Sequence, residues 1–213
     1  MKAVVLVDVQ KDFIDGALKN EAAMAAVPKI VEFAKQCVYD DECEIYVTRD
    51  THQKTIWETK TEIVTCDGGK QEKEFAKIVG GYATTLEGKK LPVEHCIEGT
   101  DGWMVDNRLL DALHVGYSGE EQPMFACTFV NKPTFGSFDL VNVIAEDFES
   151  KKLDEIVLCG FCTDICVVSN ALLLRAKFPN TKITVMKDLC AGVTLEAHEA
   201  ALKVMTSCQI DVV

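Results

Sequence analysis

The stretch Val157–Val168, VLCGFCTDICVV, starts as an apolar run typical of a buried strand and continues into a segment with helical spacing. Three cysteines lie within eight residues at this junction. A buried strand that leads directly into a helix is the repeating unit of α/β folds with a parallel sheet. The cysteines could bind a metal, form a redox pair, pack in the core, or include one working nucleophile.

The same alternation extends over most of the chain. Further apolar runs that suit buried parallel strands are Ala3–Val9, Glu44–Thr48, Met124–Val130, Lys182–Met186 and Gln209–Val213. Segments of helical period lie between them, at Ala23–Tyr39, at Asp139–Lys152, at Asp164–Phe178, and from an N-cap at Thr194 to about Ser207. This order predicts a doubly wound, three-layer αβα fold with a mostly parallel central sheet of roughly six strands.

Composition sets the size and class of the protein. A chain of 213 residues with 48% hydrophobic and 26% charged residues is typical of one globular α/β domain, which we expect to span 1–213. The net charge of −12 argues against nucleic acid or an anionic membrane as a partner. The first apolar run is broken at Asp8, too early for a signal peptide, so we expect a cytoplasmic protein whose ten cysteines are free thiols.

One region interrupts the rhythm of strands and helices. Between residues 55 and 90 the sequence shows no clear strand, and paired glycines flank a charged stretch, Lys70–Val79, that predicts one short surface helix. We interpret about residues 59–81 as an inserted segment that forms a lid, an oligomer contact or a surface excursion.

Reactive side chains follow four of the predicted strands. Ligands of open parallel sheets bind beyond the carboxyl ends of the strands. The residues expected at that edge are Asp8, the pair Asp50 and His52, Lys132, and Cys166. We therefore predict that four kinds of group from separate segments meet at one edge of the sheet: a carboxylate, a pair of possible metal ligands, an ammonium and a thiol.

The three cysteines of the opening stretch have different predicted roles. Cys166 falls in the first turn of the predicted helix, where backbone N–H groups and the helix dipole lower a thiol pKa. Cys159 lies within the strand run and is expected to pack in the core. The spacing of Cys159 and Cys162 also suits a redox pair or zinc knuckle, but the first cysteine is still within the strand, and no second knuckle is spaced to complete a zinc site.

A second group of residues suggests a metal. Asp50 and His52 project to the same side of an extended segment, and His95 could complete a site that leaves positions open for water and substrate. Two histidines and a carboxylate suit Zn²⁺ or Fe²⁺. The alternative is that both histidines only bond loop backbone. His114 and His198 lie on predicted helical segments and are expected to be structural or exposed.

With these residues assembled, the chain resembles the isochorismatase-like cysteine hydrolases, and among them the nicotinamidases. The matching pieces occur in the family's order: VVLVDVQKDF at 4–13, TRDTH at 48–52, LPVEHCIEGTDGW at 91–103, NKPTFGSF at 131–138, GFCTDICV at 160–167 and DLCAGVTLEAHEAALKVM at 188–205. The resemblance covers nearly the whole chain, and the ordered set is more specific than any single motif.

The resemblance implies hydrolysis of nicotinamide to nicotinate and ammonia, a step in NAD salvage, through a cysteine thioester. Asp8 would be the general base, Lys132 the charged group between acid and thiol, and Cys166 the nucleophile. Backbone N–H groups of Cys162 and Cys166 would form the oxyanion hole, next to a cis peptide bond at Phe161–Cys162.

The resemblance also implies a ligand set and a pocket. A divalent metal, Zn²⁺ first and Fe²⁺ or Mn²⁺ as alternatives, would bind Asp50, His52 and His95, with Glu87 as the nearest candidate for a further ligand. Phe13, Trp57 and Phe135 are candidate walls for a flat ring. No nucleotide cofactor is expected, the partner is a small-molecule amide, and family members are frequently homo-oligomers.

Two other functions remain open at this point. The first is hydrolysis of another amide or a carbamoyl group by the same cysteine chemistry, although such relatives commonly lack the metal-binding residues. The second is a non-catalytic or redox-responsive thiol protein that uses the fold for interaction. Reactivity of Cys166 distinguishes the second from any hydrolase.

Overall fold

Parallel strands and helices alternate along the chain. The computed structural model describes residues 1–53, 93–118 and 122–213 in full, and the backbone course of 56–66 and 69–80. The strands are β1 (Lys2–Val7), β2 (Cys43–Asp50), β3 (Ile56–Cys66), β4 (Gly69–Gly80), β5 (His114–Ser118), β6 (Gln122–Phe125), β7 (Thr128–Lys132), β8 (Glu155–Phe161), β9 (Lys182–Ala191) and β10 (Asp211–Val212). The helices are α1 (Lys11–Ile14), α2 (Glu21–Val38), α3 (Asn107–Leu113), α4 (Phe138–Asp147), α5 (Val168–Lys177) and α6 (Leu195–Ser207), with a π-helical turn at Thr163–Val167 directly before α5.

The central sheet has six strands in the order β10-β9-β8-β1-β2-β7, and all of its pairings are parallel. The chain winds outward from β1 through β2 to β7, and later from β8 through β9 to β10. The winding direction therefore reverses between β1 and β8, which is the place where open α/β sheets bind their ligands. The predicted doubly wound fold is confirmed.

The middle strand β1 is covered on both faces. Residues Ala3–Val7 are each at most 1% exposed, although successive side chains point to opposite sides of a strand. Helices α2 and α3 pack together on the sheet, and α4, α5 and α6 form a second contiguous group. Burial on both faces explains why this segment is continuously apolar instead of alternating.

Helix starts follow the local signals of the sequence. Asn20, Ser137 and Thr194 occupy the N-caps of α2, α4 and α6, and each side chain accepts a hydrogen bond from a backbone N–H of the first turn. These bonds satisfy amides that have no partner within the helix. Across the described part of the chain, no helix is long and apolar enough to cross a membrane.

Three local predictions are wrong. His114 does not lie on a helical segment, because it is the first residue of β5. The run Met124–Val130 is not one strand, because 122–125 pair antiparallel with β5 whereas 128–132 pair in parallel with β2. The stretch Lys70–Val79 is not a surface helix, because it lies within β4 and pairs antiparallel with β3 over most of its length. Its Lys, Glu and Gln are good helix formers, but differences in helix propensity are small, and pairing with an adjacent strand outweighs them.

The nine cysteines whose side chains are described are all free thiols. Cys159 is fully buried in β8, as predicted for a core residue. Burial also raises its pKa well above the usual value for a thiol, as is typical of a structural cysteine.

Gly160 is required by the close approach of β8 to β1. Its φ is +121°, and an added Cβ would lie 2.1 Å from the carbonyl oxygen of Val7. We expect Gly160→Ala to lower the free energy of unfolding by about 3 kcal/mol, measured by urea denaturation, because it adds both a clash and backbone strain. Gly116→Ala is the matched control, since Gly116 also has a positive φ but no atom within 4 Å of an added Cβ. Equal losses in the two variants would contradict the role of the clash.

Candidate active site

Four neighbouring strands of the sheet deliver the site. Asp8 follows β1, Asp50 ends β2, Lys132 ends β7, and Cys166 lies five residues after β8. The predicted meeting of these residues at the carboxyl edge of the sheet is what the structure shows. The site lies at the strands on either side of the winding reversal, where the connections leave the sheet in opposite directions.

Lys132 is the centre of this cluster. Its Nζ lies 2.7 Å from Asp8 Oδ2, 3.3 Å from Asp50 Oδ1 and 3.3 Å from Cys166 Sγ. Lys132 and Asp8 are both fully buried. Thr48 donates to the second oxygen of Asp8 at 2.6 Å, which orients the carboxylate. A charged lysine at this depth requires anionic partners, and the two carboxylates supply them.

The electrostatics keep the lysine charged and make Asp8 a stronger base. Burial lowers the pKa of Lys132, but the charge of Asp8, the charge of Cys166 when its thiol is ionised, and the charge of Asp50 outweigh burial and raise that pKa above its usual value. Burial raises the pKa of Asp8, and Lys132 opposes this increase only in part. A carboxyl group with a raised pKa is suited to accepting a proton from a neighbouring thiol.

The thiol itself differs from the prediction. Burial raises the pKa of Cys166 well above the usual value, and the charge of Asp8 and a hydrogen bond with Asp8 add to that increase. Lys132 acts in the opposite direction. The expected lowering of the Cys166 pKa is therefore wrong, because desolvation and the nearby carboxylates raise that pKa by more than Lys132 lowers it. The thiol needs a base to ionise it.

The nucleophile turn is π-helical instead of α-helical. Cys162 precedes Thr163–Val167, and its carbonyl accepts hydrogen bonds from the N–H groups of Ile165 and Val167 at 3.1 and 3.0 Å. The Phe161–Cys162 peptide bond is cis, as expected. Cys162 and Cys166 border the same cavity, so both predicted oxyanion-hole residues face the space where a substrate would bind.

Asp50, His52 and His95 form one candidate metal site. Asp50 Oδ2 lies 2.8 Å from His52 Nε2 and 3.2 Å from His95 Nε2, and one ligand atom from each residue lies within 4.8 Å of the others. Burial raises the pKa of Asp50, but hydrogen bonds to both histidines and the charge of Lys132 outweigh burial and lower that pKa below its usual range. The carboxylate is therefore ionised, as a metal ligand must be.

The ring orientation of His95 also fits a cation. The Nδ1 of His95 bonds to the Val93 carbonyl at 2.9 Å. Because a carbonyl only accepts, Nδ1 is the donor, and in the neutral ring Nε2 then carries a lone pair that faces Asp50. Two electron-rich atoms that face each other need a proton or a cation between them. The residues present thus suit a divalent metal.

Tertiary pairing brings His95 to the site. His52 forms a parallel bridge with Ile97, in which its N–H donates to the Cys96 carbonyl at 2.9 Å and its carbonyl accepts from Glu98 at 2.8 Å. This bridge places the segment that carries His95 beside the end of β2. The distance in sequence between His52 and His95 is therefore closed by two backbone hydrogen bonds.

Sequence reasoning missed two buried residues that fix the backbone at or beside the candidate metal ligands. Gln10 donates from its side chain to the Asp50 carbonyl at 2.9 Å and accepts from the Asp50 N–H at 2.7 Å. Asp12 accepts from the Cys96 N–H at 2.7 Å, which fixes the residue next to His95. Both lie in the quoted segment 4–13, where buried polar residues directly after a strand were the available signal.

A cavity of about 720 Å³ lies above the cluster. Its lining includes Asp50, His95, Cys162 and Cys166. Of the predicted walls, Phe13 and Phe135 line it, and the Phe13 ring packs edge-on against His95 at 5.5 Å between centroids. The other two predicted site residues, the Trp57 side chain and Glu87, lie outside the described residues.

Comparison with known proteins identifies the domain and supports the fold. The model of the Isochorismatase domain matches residues 2–213. No curated protein matches the sequence. Three solved structures cover this chain almost completely: a pyrazinamidase of Pyrococcus horikoshii in complex with zinc (21% identity, TM-score 0.67, 100% of this chain and 98% of that one), a nicotinamidase from Bacillus subtilis (22%, 0.70, 99% and 98%), and the yeast nicotinamidase bound to the inhibitor nicotinaldehyde (19%, 0.67, 100% and 99%).

At these identities the solved structures establish the fold, whereas the domain match extends over the whole length from the first strand to the last residue. The chain belongs to the Isochorismatase family.

Proposed function

We propose that this protein is a cysteine amidase that hydrolyses nicotinamide and related pyridine carboxamides through a thioester on Cys166. The observation that carries this proposal is the contact of buried Lys132 with Asp8, Asp50 and Cys166, because Asp50 and Cys166 also line the cavity. Through Lys132, the general base Asp8 and the Cys166 thiol are connected to Asp50, which is one of the three candidate metal ligands. The structural neighbours with nicotinamidase and pyrazinamidase activity support the choice of substrate.

Formation of the thioester begins with proton transfer. Asp8 accepts the thiol proton of Cys166, and Lys132 stabilises the thiolate through its contact with Sγ at 3.3 Å. The sulfur attacks the amide carbon, so that a C–S bond forms and the carbonyl oxygen becomes an oxyanion. Asp8 returns the proton to the amide nitrogen, the C–N bond breaks, and ammonia leaves.

Water completes the reaction. Asp8, again ionised, accepts a proton from a water molecule as that water attacks the thioester carbon. The C–S bond then breaks, the carboxylic acid product is released, and Cys166 recovers its proton. Asp8 therefore acts as base and as acid in both halves of the cycle, a role that its raised pKa suits.

The oxyanion needs hydrogen-bond donors that are already in place. Backbone N–H groups of Cys162 and Cys166 are the proposed donors, because both residues border the cavity on the turn that carries the nucleophile. Preorganised N–H donors in a water-poor site stabilise a tetrahedral intermediate without reorganisation at the moment of reaction. This role depends on the backbone and leaves the Cys162 side chain outside the chemistry.

Asp50, His52 and His95 would hold the metal. When bound, a divalent ion such as Zn²⁺ supplies a Lewis acid for a lone pair of the substrate, such as a pyridine nitrogen. One oxygen of Asp50 faces His52, and the other contacts Lys132. The Asp50 carboxylate therefore connects the candidate metal ligands, which would orient the substrate, to the catalytic residues. Phe13 and Phe135 would flank a flat ring.

The test of substrate class is ammonia release from nicotinamide, pyrazinamide, a simple aliphatic amide and a carbamoyl compound by metal-replete protein. We expect release from the two aromatic amides and little from the aliphatic amide, because only the former present a ring and a ring nitrogen. Release from the carbamoyl compound alone would overturn the proposed substrate while leaving cysteine chemistry intact. Inactivity toward all four would overturn the amidase assignment.

Metal binding can be measured without activity. We expect gently purified protein to contain about one divalent ion per chain, and His52→Ala and His95→Ala each to weaken binding by about 100-fold or more, since each removes a direct ligand. Elemental analysis and competition with a chromogenic chelator provide the readout. His114→Ala is the control, because His114 lies outside the Asp50, His52 and His95 group. Unchanged metal content in either ligand variant would contradict the assignment.

A further inference from the structure

Asn170 is a buried polar residue for which the proposed chemistry has no role. It lies on α5, four residues after Cys166, and is fully buried. Its side chain makes three hydrogen bonds. Nδ2 donates to the Cys166 carbonyl at 2.8 Å and to the Phe135 carbonyl at 3.2 Å, and Oδ1 accepts from the Ser137 N–H at 2.9 Å.

The orientation of this amide is unambiguous. Two carbonyl oxygens face one end of the group and one N–H faces the other, and only Nδ2 can donate to carbonyls. The opposite orientation would set an oxygen against two oxygens and leave the N–H of Ser137 without an acceptor. Such losses are costly in a buried site, so all three bonds form together.

The three bonds connect parts of the site that are separate in sequence. Cys166 carries the thiol, and Phe135 lies in the connection from Lys132 to α4 and lines the cavity. The backbone of this connection comes very close to α5 at Gly136, where an added Cβ would lie 2.7 Å from Leu173 Cδ1. Asn170 therefore bonds the turn of the nucleophile to a cavity wall across a tight contact.

We propose that Asn170 is a positioning residue that sets Cys166 and the Phe135 wall at a constant separation, so that the thiol meets the carbon of a substrate held by that wall. This inference rests on the proposed amidase function for its kinetic readout. It assigns no contact between Asn170 and the substrate. Positioning of this kind is sensitive, because a displacement of about 1 Å costs about 100-fold in rate.

Two substitutions distinguish the bond of Asn170 to Cys166 from its bonds to Phe135 and Ser137. Asn170→Asp retains the shape and the acceptor for Ser137 but places an oxygen against the Cys166 and Phe135 carbonyls. Asn170→Thr retains a hydroxyl that can donate to the carbonyl four residues earlier, that of Cys166, but does not reach Phe135 and Ser137. Asn142→Asp is the matched control, because Asn142 is an exposed residue of α4.

Four quantities are measured on each metal-replete variant. They are the rate at which iodoacetamide alkylates Cys166, which peptide mass spectrometry follows, then kcat and KM for nicotinamide, and the Tm. For Asn170→Asp we expect kcat to fall by about 100-fold and the alkylation rate to change several-fold at temperatures well below its Tm. For Asn170→Thr we expect kcat within about threefold of wild type and KM raised about tenfold, because only the wall is released. The control should match wild type.

The outcomes are decisive in each case. If both Asn170 variants are folded and keep alkylation rates and kinetic constants within about twofold of wild type, the positioning role is wrong. If activity falls only in proportion to the unfolded fraction, the role is structural and the proposal is also wrong. Should Asn170→Asp fail to fold, Asn170→Thr is judged by the same criteria. If wild type hydrolyses no amide, the proposed amidase function is wrong. The alkylation rates alone then decide whether Asn170 positions Cys166.

Discussion

Cys166→Ala is expected to lower the rate of nicotinamide hydrolysis by about 10⁴-fold or more, because alanine removes the atom that forms the thioester. The fold should persist, since Cys166 is a small buried residue and its loss leaves room for about one sulfur atom. Asp8, Lys132 and the metal-type residues stay in place. The variant should therefore still bind substrate and release no ammonia.

The measurement is ammonia release under single-turnover and steady-state conditions, together with a search for a mass increase on Cys166 in wild type after a rapid acid quench. Cys208→Ala is the control, because Cys208 caps the end of α6, away from the described cavity, and its removal should leave kcat and KM unchanged. Activity of Cys166→Ala within tenfold of wild type would exclude the thioester route. It would then favour direct attack of water.

Lys132→Met is expected to destabilise the fold by about 3–5 kcal/mol and to abolish hydrolysis. The substitution leaves Asp8 and Asp50 buried without the cation that contacts both of them. Removing one member of a buried charged group is more damaging than replacing the whole group, because the desolvation cost of the remaining charges stays. The same change removes the ammonium that contacts the Cys166 sulfur.

Urea unfolding in the presence of a chelator measures the stability effect without a contribution from metal binding. Lys151→Met is the matched control, because Lys151 forms an ion pair with Glu44 at 2.8 Å on the exposed surface, and we expect little measurable change there. The double variant Asp8→Asn with Lys132→Met should recover part of the lost stability, since it also removes one uncompensated charge. A Lys132→Met protein as stable as wild type would contradict the assigned role of the buried ion pairs.

The sheet and its reactive edge could be predicted because they depend on local patterns. Continuous apolar runs indicate buried parallel strands, and the carboxyl ends of such strands meet at one edge. Asp8, Asp50, Lys132 and Cys166 each follow or end such a run, so their convergence required no knowledge of side-chain geometry. The N-cap Thr194 could likewise be predicted, since a cap bonds amides only a few residues away.

The wrong strand and helix predictions arose where pairing between segments, and not a local pattern, decides the structure. The run Met124–Val130 looks like one strand locally, but residues 122–125 pair with β5 and residues 128–132 pair with β2. The charged stretch in β4 has helix-forming composition, and its pairing with β3 is a contact that composition does not encode. Strand formation depends on the partner more than helix formation does, so short ambiguous runs are decided by neighbours.

By itself the sequence determined the α/β architecture. It also determined which reactive residues stand at the carboxyl ends of the strands. The tertiary structure decided what those residues can do. It brings His95 to Asp50 through the bridge between His52 and Ile97, it raises the pKa of Cys166 by burial, and it connects Asn170 to both sides of the cavity. The physical reason is that local propensity acts over a few residues, whereas desolvation, charge pairing and hydrogen bonds between separate segments exist only once the chain has packed.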